Sequence, residues 1–243
     1  MQLIPLHVII ITMDNTIDNT QTAPKQEKRL YTKGEEIFNA VSHIVGAAFG
    51  VFVLIVGVTL ASIHQDTWAI VAMVIYGISM VILYTASSIY HFLRNNRAKK
   101  VFRVLDHCSI FILIAGTYTP FTLIALRTVG LWGWAIFSVL WLLAILGIIF
   151  NAINMHHKTV KKLSLITYLA MGWSALVAIV PIIQNIHPMG ILWTLIGGIM
   201  YTAGVYFFIR GKRTKYFHSI WHLFILAGSL TQFIAIIFYI ILV

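Results

Sequence analysis

Charged residues, prolines and cysteines are all scarce in this chain. Lys, Arg, Asp and Glu together make up 10% of its 243 residues, five residues are proline, and Cys108 is the only cysteine. A single thiol excludes an intrachain disulfide, and so little charge is unusual for a soluble globular domain. Because 60% of the residues are apolar and the mean hydropathy is +0.90, the composition indicates an integral membrane protein.

Alternating apolar and polar residues bounded by turn signals are also lacking, which argues against a transmembrane barrel. Instead, apolar windows of roughly 20 residues, long enough to cross a ~30 Å hydrocarbon core as helix, recur to the C-terminus. The sequence therefore predicts an all-α fold, a bundle of seven transmembrane helices. The predicted spans are about 37–62, 68–92, 103–126, 130–150, 163–183, 190–209 and 217–241. The shortest break between them lies near Arg127–Gly130.

Acidic residues are few, at seven against 17 Lys and Arg, and the net charge is +10. With seven spans, every basic residue except Arg127 falls in the N-terminal arm or in the loops after spans two, four and six. Cytoplasmic loops carry the excess of basic residues in membrane proteins, so we predict a cytoplasmic N-terminus and an extracellular C-terminus. Short basic loops next to apolar spans also predict contact with anionic lipid headgroups rather than nucleic acid.

The N-terminal arm precedes the first span. Its apolar beginning, Met1–Thr12, is too short to cross a membrane and lacks the basic start of a signal peptide. It is either an interfacial segment or an over-extended reading frame, with Met13 as the alternative start. The polar stretch that follows predicts disorder. We therefore divide the chain into a disordered cytoplasmic arm, residues 1–35, and a membrane domain, residues 36–243.

Several polar side chains lie at the predicted cytoplasmic ends of spans. An ionisable group inside a membrane is costly and therefore marks a functional site. His91 ends span two, whereas His218 and His222 begin span seven. Residues four apart share one face of a helix, so His218 and His222 point the same way. Neutral imidazole suits zinc, and three protein ligands leave an open position for catalysis. We predict a zinc site formed by His91, His218 and His222.

Two further residues at this depth are candidates for catalysis. Asp106, near the start of span three, is either a fourth metal ligand or the group that holds a water molecule and accepts its proton. Ser87 lies one turn before His91 and either hydrogen-bonds water or a substrate carbonyl, or donates back to its own helix. We predict Asp106 and Ser87 as catalytic residues beside the metal.

These residues resemble the hemolysin III family, the bacterial branch of the progestin and adipoQ receptor family, which is related to alkaline ceramidases. The similarity covers nearly all of residues 35–243. The motifs that carry it are Glu36-x2-Asn39-x3-His43, Ser87-x3-His91, Leu105-Asp106, the run Ala115–Phe121 and His218-x3-His222. The joint pattern is far more specific than any one motif.

The resemblance implies a seven-helix bundle with zinc near the inner face of the membrane, and a location in the plasma membrane of a bacterium. It places His91, His218 and His222 on the zinc ion, Asp106 in contact through water, and Ser87 beside them. In the receptor and ceramidase relatives the site is linked to hydrolysis of lipid amides such as ceramide.

Three functions follow as hypotheses. The first is a zinc-dependent intramembrane hydrolase of a lipid amide or ester bond, a ceramidase-like amidohydrolase. The second is a non-enzymatic protein of membrane homeostasis or sensing, in which zinc is a structural clamp. The third is a pore-forming cytolysin that causes haemolysis, although a bundle already inserted in a membrane lacks the soluble form that a secreted toxin needs. The sequence does not separate the first two.

Overall fold

The computed structural model describes residues 31–64, 66–94, 97–211 and 213–243, and within these ranges the chain is helical and contains no strand. The helices are α1 (Lys33–Ile63), α2 (Thr67–Phe92), α3 (Arg97–Pro120), α4 (Trp132–Asn154), α5 (Lys158–Gly172), α6 (Ile179–Asn185), α7 (Pro188–Arg210) and α8 (Phe217–Ile236). Single π-helical turns extend α3 over Phe121–Ala125 and α8 over Ile237–Ile241, and a 3-10 helix, Ser174–Ala178, joins α5 to α6.

These elements form seven helices that are long and apolar enough to cross a membrane, with α5 and α6 making up the fifth. The predicted all-α fold and the count of seven spans are therefore confirmed. The third and fifth spans begin earlier than predicted, at Arg97 and Lys158, because their first turns are basic and fall outside the apolar windows. Residues 1–30, which include Met13 and most of the predicted arm, lie outside the described residues.

The short break between α3 and α4 is present where the sequence predicts it. Gly130 has a φ of +55°, a left-handed conformation that glycine adopts without steric cost. Arg127 Nε donates to the carbonyl of Leu123 at 3.1 Å, and its guanidinium lies 5.2 Å from the ring centre of Trp68 on α2. The turn is thus held by contacts to two helices.

The fifth span is interrupted halfway. Pro181 lies in the first turn of α6, where its missing N–H removes no helical hydrogen bond, so the helix restarts there. The Tyr118 hydroxyl donates to the carbonyl of Gly172 at 2.7 Å and accepts from the N–H of Ala175 at 3.2 Å. These bonds satisfy backbone groups that hydrocarbon would leave unpaired, and they hold the 3-10 segment between α5 and α6 beside the central cavity.

The interior of the bundle lies between α1, α2, α3 and α8. α2 packs between α1 and α3, and α8 packs between α1 and α7. The buried apolar cluster at the centre includes Val53, Met73, Tyr76, Met80 and Ile236. By contrast, α4 exposes Ile145, Ile149 and Ile153, as expected for a helix face against lipid. Since lipid tails are as apolar as these side chains, close packing and hydrogen bonds hold such a bundle together.

One end of the bundle, which we call the histidine end, contains the starts of α1, α3 and α8 and the end of α2. Alternation of the spans also places most described basic residues there, namely Lys33, Arg94, Arg97, Lys99, Lys100, Arg103, Lys158, Lys161, Lys162, Arg210, Arg213 and Lys215. Arg127 lies at the opposite end. The assignment of the histidine end to the cytoplasm stays a prediction.

Candidate metal centre

Three histidines from two helices meet at the histidine end. His91 comes from the last turn of α2, and His218 and His222 come from the first two turns of α8. One ring nitrogen of each lies within 4.8 Å of the other two, and the Nε2 atoms of His218 and His222 are 3.3 Å apart. All three side chains are buried. The structure thus brings together the three imidazoles that the sequence indicates, in a cluster that could hold a metal ion.

The hydrogen bonding of His91 leaves one nitrogen available. Its Nδ1 lies 2.7 Å from Oε2 of Glu36 on α1, and the other carboxylate oxygen of Glu36 accepts from Lys99 Nζ at 2.6 Å. Its Nε2 is buried and has no hydrogen-bond partner among the described residues. Metal-binding histidines commonly donate their second N–H to a carboxylate, so this pattern fits a ligand whose coordinating atom is Nε2.

His222 shows the same division of its two nitrogens. Its Nδ1 lies 3.2 Å from the carbonyl oxygen of Asn39 and 3.3 Å from the Ser42 hydroxyl. Donation from Nδ1 to the Asn39 carbonyl leaves the Nε2 lone pair facing His218. The side-chain oxygen of Asn39 also accepts from the Ser219 hydroxyl at 2.7 Å. α1 therefore orients the ligand face of α8.

The starts of α1 and α8 are joined by one carboxylate. Glu35 accepts from the N–H of Thr32 at 2.8 Å and closes a capping box at the start of α1. Its other oxygen accepts from the N–H of Tyr216 at 2.7 Å. Tyr216 has a φ of +61°, which is costly for a residue with a side chain. The Glu35 bond stabilises that conformation and with it the depth at which His218 enters the bundle.

Two aromatic rings stack on histidines of the cluster. Tyr31 stacks on His218 at a centroid distance of 4.7 Å, and burial, with smaller contributions from the nearby Tyr90 and Asp106, raises the pKa of its hydroxyl. His43 stacks on His222 at 3.7 Å, and neither of its ring nitrogens has a partner among the described residues. Each of these rings therefore covers one face of a histidine of the cluster.

Glu36, Asn39 and His43 form one motif in the sequence, which by itself assigns them no role at the site. The structure shows that all three contact the histidines. The signal that could have found them was their spacing of three and four residues along the first span, which places polar groups on one face of an otherwise apolar helix.

A cavity of about 310 Å³ begins beside the cluster and extends between α3, the fifth span, α7 and α8. His218 and His222 line it at one end, together with Arg103 and Lys161. Its wall is mostly apolar away from the histidine end. Such a shape can accommodate an elongated apolar ligand.

Asp106 and Ser87 line the same cavity as His218 and His222. The Asp106 carboxylate is not part of the group of ligand atoms that lie within 4.8 Å of one another. Among the described residues, the Ser87 hydroxyl makes no hydrogen bond back to its own helix, whereas the neighbouring Ser88 hydroxyl donates to the carbonyl of Tyr84 at 2.6 Å. Both residues therefore face the cavity, and their catalytic roles stay predictions.

The chain matches the family model described as "Haemolysin-III related" over residues 31–233. It is 42% identical over 206 residues to "Hemolysin-3" of Bacillus cereus, covering 85% of this chain and 92% of that protein. It is 35% identical over 210 residues to "Hemolysin-3 homolog" of Bacillus subtilis (strain 168), covering 86% and 96%.

A more distant similarity, 29% identity over 222 residues and 88% of each chain, is to "Monocyte to macrophage differentiation factor" of Homo sapiens. The family indicated by the sequence motifs is thus confirmed, and the seven apolar helices agree with a multi-pass protein. The chain belongs to the haemolysin-III-related family of membrane proteins.

Proposed function

We propose that the protein is a zinc-dependent hydrolase that cleaves an amide or ester bond of a lipid from within the membrane. The observation that carries this proposal is the arrangement of His91 Nε2, buried and without a partner among the described residues, beside the paired Nε2 atoms of His218 and His222. Three neutral imidazoles are a donor set that suits zinc. The ion, when bound, supplies a Lewis acid that polarises a carbonyl group and makes water more acidic.

The residues of the chain complete the proposed chemistry. The Asp106 carboxylate holds a water molecule at the cavity wall and accepts its proton on a carboxylate oxygen. The Ser87 hydroxyl donates a hydrogen bond to the carbonyl oxygen of the lipid. Both residues line the cavity with the histidines, and the apolar wall holds the acyl chain and excludes bulk water.

Charge at the histidine end supports a cytoplasmic orientation and an interaction with anionic lipid headgroups. Burial is the main cause that lowers the pKa of His156, and the nearby positive charges of Arg103, Lys161 and Lys100 lower it further. Basic residues near a membrane attract anionic headgroups by roughly 1 kcal/mol each. We propose that these groups hold the headgroup of the lipid while its acyl chain enters the cavity, in the plasma membrane.

The test of the reaction is Asp106→Asn. This change preserves size and leaves the three histidines intact, so zinc content and thermal stability should stay at the wild-type level. Lipid turnover should fall at least a hundredfold, in line with the contribution of a general base. Mass spectrometry of lipids, in proteoliposomes and in cells that express either form, measures the loss.

The second function remains a distinct proposal because α1, α2 and α8 are tied together at the site by Glu36 and Asn39. Such a network fits a structural zinc clamp in a sensor of membrane properties. Under that function, Asp106→Asn should leave both the lipid composition and the cellular phenotype unchanged, which would contradict the hydrolase. For the pore-forming function, which the name of the Bacillus relatives suggests, dose-dependent leakage of liposomes by the purified protein is the corresponding test.

A further inference from the structure

The part of the cavity away from the histidines contains a polar side chain that the proposed reaction does not use. Gln232 on α8 is 5% exposed and lines the cavity. Its Nε2 donates to the main-chain carbonyl of Thr194 on α7 at 3.0 Å. Its Oε1 is buried and has no hydrogen-bond partner among the described residues. A buried amide oxygen without a donor is costly, above all inside a membrane.

The orientation of this amide follows from its surroundings. A main-chain carbonyl can only accept, so the NH₂ group of Gln232 must face Thr194 and the oxygen is the atom left over. The Thr194 hydroxyl is already engaged, since it donates to the carbonyl of Gly190 at 2.8 Å. The unpaired group is therefore an acceptor, and its partner must be an O–H or N–H donor.

α7 makes room for this side chain with a glycine. A Cβ at Gly197 would lie 2.5 Å from Nε2 of Gln232 and 2.7 Å from the Thr231 hydroxyl oxygen. Any residue larger than glycine would therefore displace the amide. The packing of α7 against α8 thus leaves room for a glutamine at a position where an apolar residue would leave no polar atom unpaired.

The distance between the histidine cluster and Gln232 determines which kind of ligand could contact both. Gln232 follows His222 by ten residues on one continuous helix, a separation of about 15 Å along the helix axis. The cavity wall also includes Ile182, Ile186 and Ile191, so an occupant is surrounded largely by apolar groups. A ligand that spans from the histidines to Gln232 is therefore a hydrocarbon chain, and the donor that suits such a chain is a hydroxyl group.

We propose that Gln232 forms a second subsite that selects lipids whose acyl chain carries a hydroxyl group about 15 Å from the group held at the histidines. The hydroxyl donates to Oε1, whereas a plain methylene leaves that oxygen unpaired. Sites with a buried polar group reject ligands that leave it without a partner. This inference rests on the proposed function for the placement of a lipid in the cavity, but it concerns binding and does not require turnover.

The test compares binding of two fatty acids to the purified full-length protein in detergent: stearic acid, and stearic acid hydroxylated near the middle of its chain. The hydroxylated acid should bind about fivefold more tightly, the effect of one net hydrogen bond. Gln232→Met keeps the length of the side chain but removes the amide, and should abolish this preference. Gly197→Ala, which displaces the amide, should reduce it.

Thr231→Val is the matched control. Thr231 precedes Gln232 on α8, and its hydroxyl donates back to the carbonyl of Gly228 on its own helix at 2.8 Å, so the preference should persist in that variant. Stearic acid with its hydroxyl beside the carboxyl group should bind like the unsubstituted acid, because the hydroxyl is then far from Gln232. This comparison of ligands uses the wild-type protein and decides the question even if Gln232→Met does not fold.

Equal binding of the two acids by the wild-type protein would overturn the proposal, since water would then satisfy Oε1. A preference that survives Gln232→Met would also overturn it, because a group other than Gln232 would then bind the hydroxyl. Lipid hydrolysis is measured separately. If the protein prefers the hydroxylated acid but does not hydrolyse lipid, the subsite is retained and the hydrolase is rejected. If it hydrolyses lipid but binds both acids equally, the hydrolase is retained and the subsite is rejected.

Discussion

Histidines occur at both ends of the bundle, but their surroundings differ. At the histidine end, the Nδ1 atoms of the buried His91 and His222 each face an acceptor on α1. At the opposite end, His64 and His187 are exposed, and His187 Nδ1 accepts the N–H of Met189 at the start of α7. Because the residue type is the same at both ends, histidine alone does not make a metal centre. The side chain must also be buried, and one ring nitrogen must bond to a partner so that the other nitrogen is available to the metal.

The other polar groups at the two ends differ in the same way. At the opposite end, Asp66 accepts from the N–H of Trp68, two residues further along the chain, and so caps its own helix. At the histidine end, Glu36 reaches from α1 to His91 on α2 and to Lys99 on α3. A polar residue at a helix end therefore stabilises that helix in one case and assembles three helices in the other.

The largest effect that would test this difference is on metal content. His222→Ala removes one of three imidazoles and should abolish zinc binding, because two histidines do not complete a zinc site. Elemental analysis of the purified protein measures the loss. His187→Ala removes an imidazole from the opposite end and should keep the wild-type zinc content. Zinc retained by His222→Ala would show that the cluster is not the metal site.

A smaller effect is expected from Glu36→Gln, which preserves size but removes the negative charge beside His91 Nδ1. Loss of such a partner commonly costs ten- to hundredfold in metal affinity, so zinc affinity should fall by about that factor. Competition with a chromophoric chelator gives the affinity. Asp66→Asn, which alters a carboxylate at the opposite end, is the control and should leave affinity unchanged. Wild-type affinity in Glu36→Gln would mean that this hydrogen bond does not tune the ligand.

The smallest effect is expected on stability, from a substitution at the opposite end of the bundle. Gly130→Ala meets no neighbouring atom within 4 Å, so only its left-handed φ opposes the change, at a cost of about 1 kcal/mol. Thermal unfolding in detergent should shift down slightly while zinc content stays constant. Gly172→Ala also meets no neighbour within 4 Å and should not lower stability. A loss of zinc from Gly130→Ala would show that the two ends are coupled.

The number of spans was predictable because a membrane demands about 20 apolar residues for each crossing, and the break at Arg127–Gly130 interrupts the apolar pattern. The starts of α3 and α5 were less predictable. Their first turns contain Arg97 and Lys158, which are helical in the structure but too polar for an apolar window. The interruption of the fifth span at Ser174–Ala178 was missed, since it lies within a continuous apolar run.

The grouping of His91, His218 and His222 was predictable because topology assigns each a side of the membrane and a depth. Their partners were not. Which nitrogen of His91 faces Glu36 depends on how α1 and α2 are rotated about their axes, and sequence spacing does not define that rotation. Tyr31 shows the same limit: it falls in the segment assigned to the arm, yet it packs on His218.

The sequence by itself determined the number of crossings, the family, and the end of the bundle to which the histidines belong. These properties follow from apolar length, from charge and from local motifs, all of which act along the chain. Tertiary structure decided which imidazole nitrogens remain available, that Asp106 and Ser87 share a cavity with the histidines, and that Gln232 lies on its wall. Those properties depend on contacts between helices far apart in sequence, because burial and hydrogen-bond partners arise only when the helices pack.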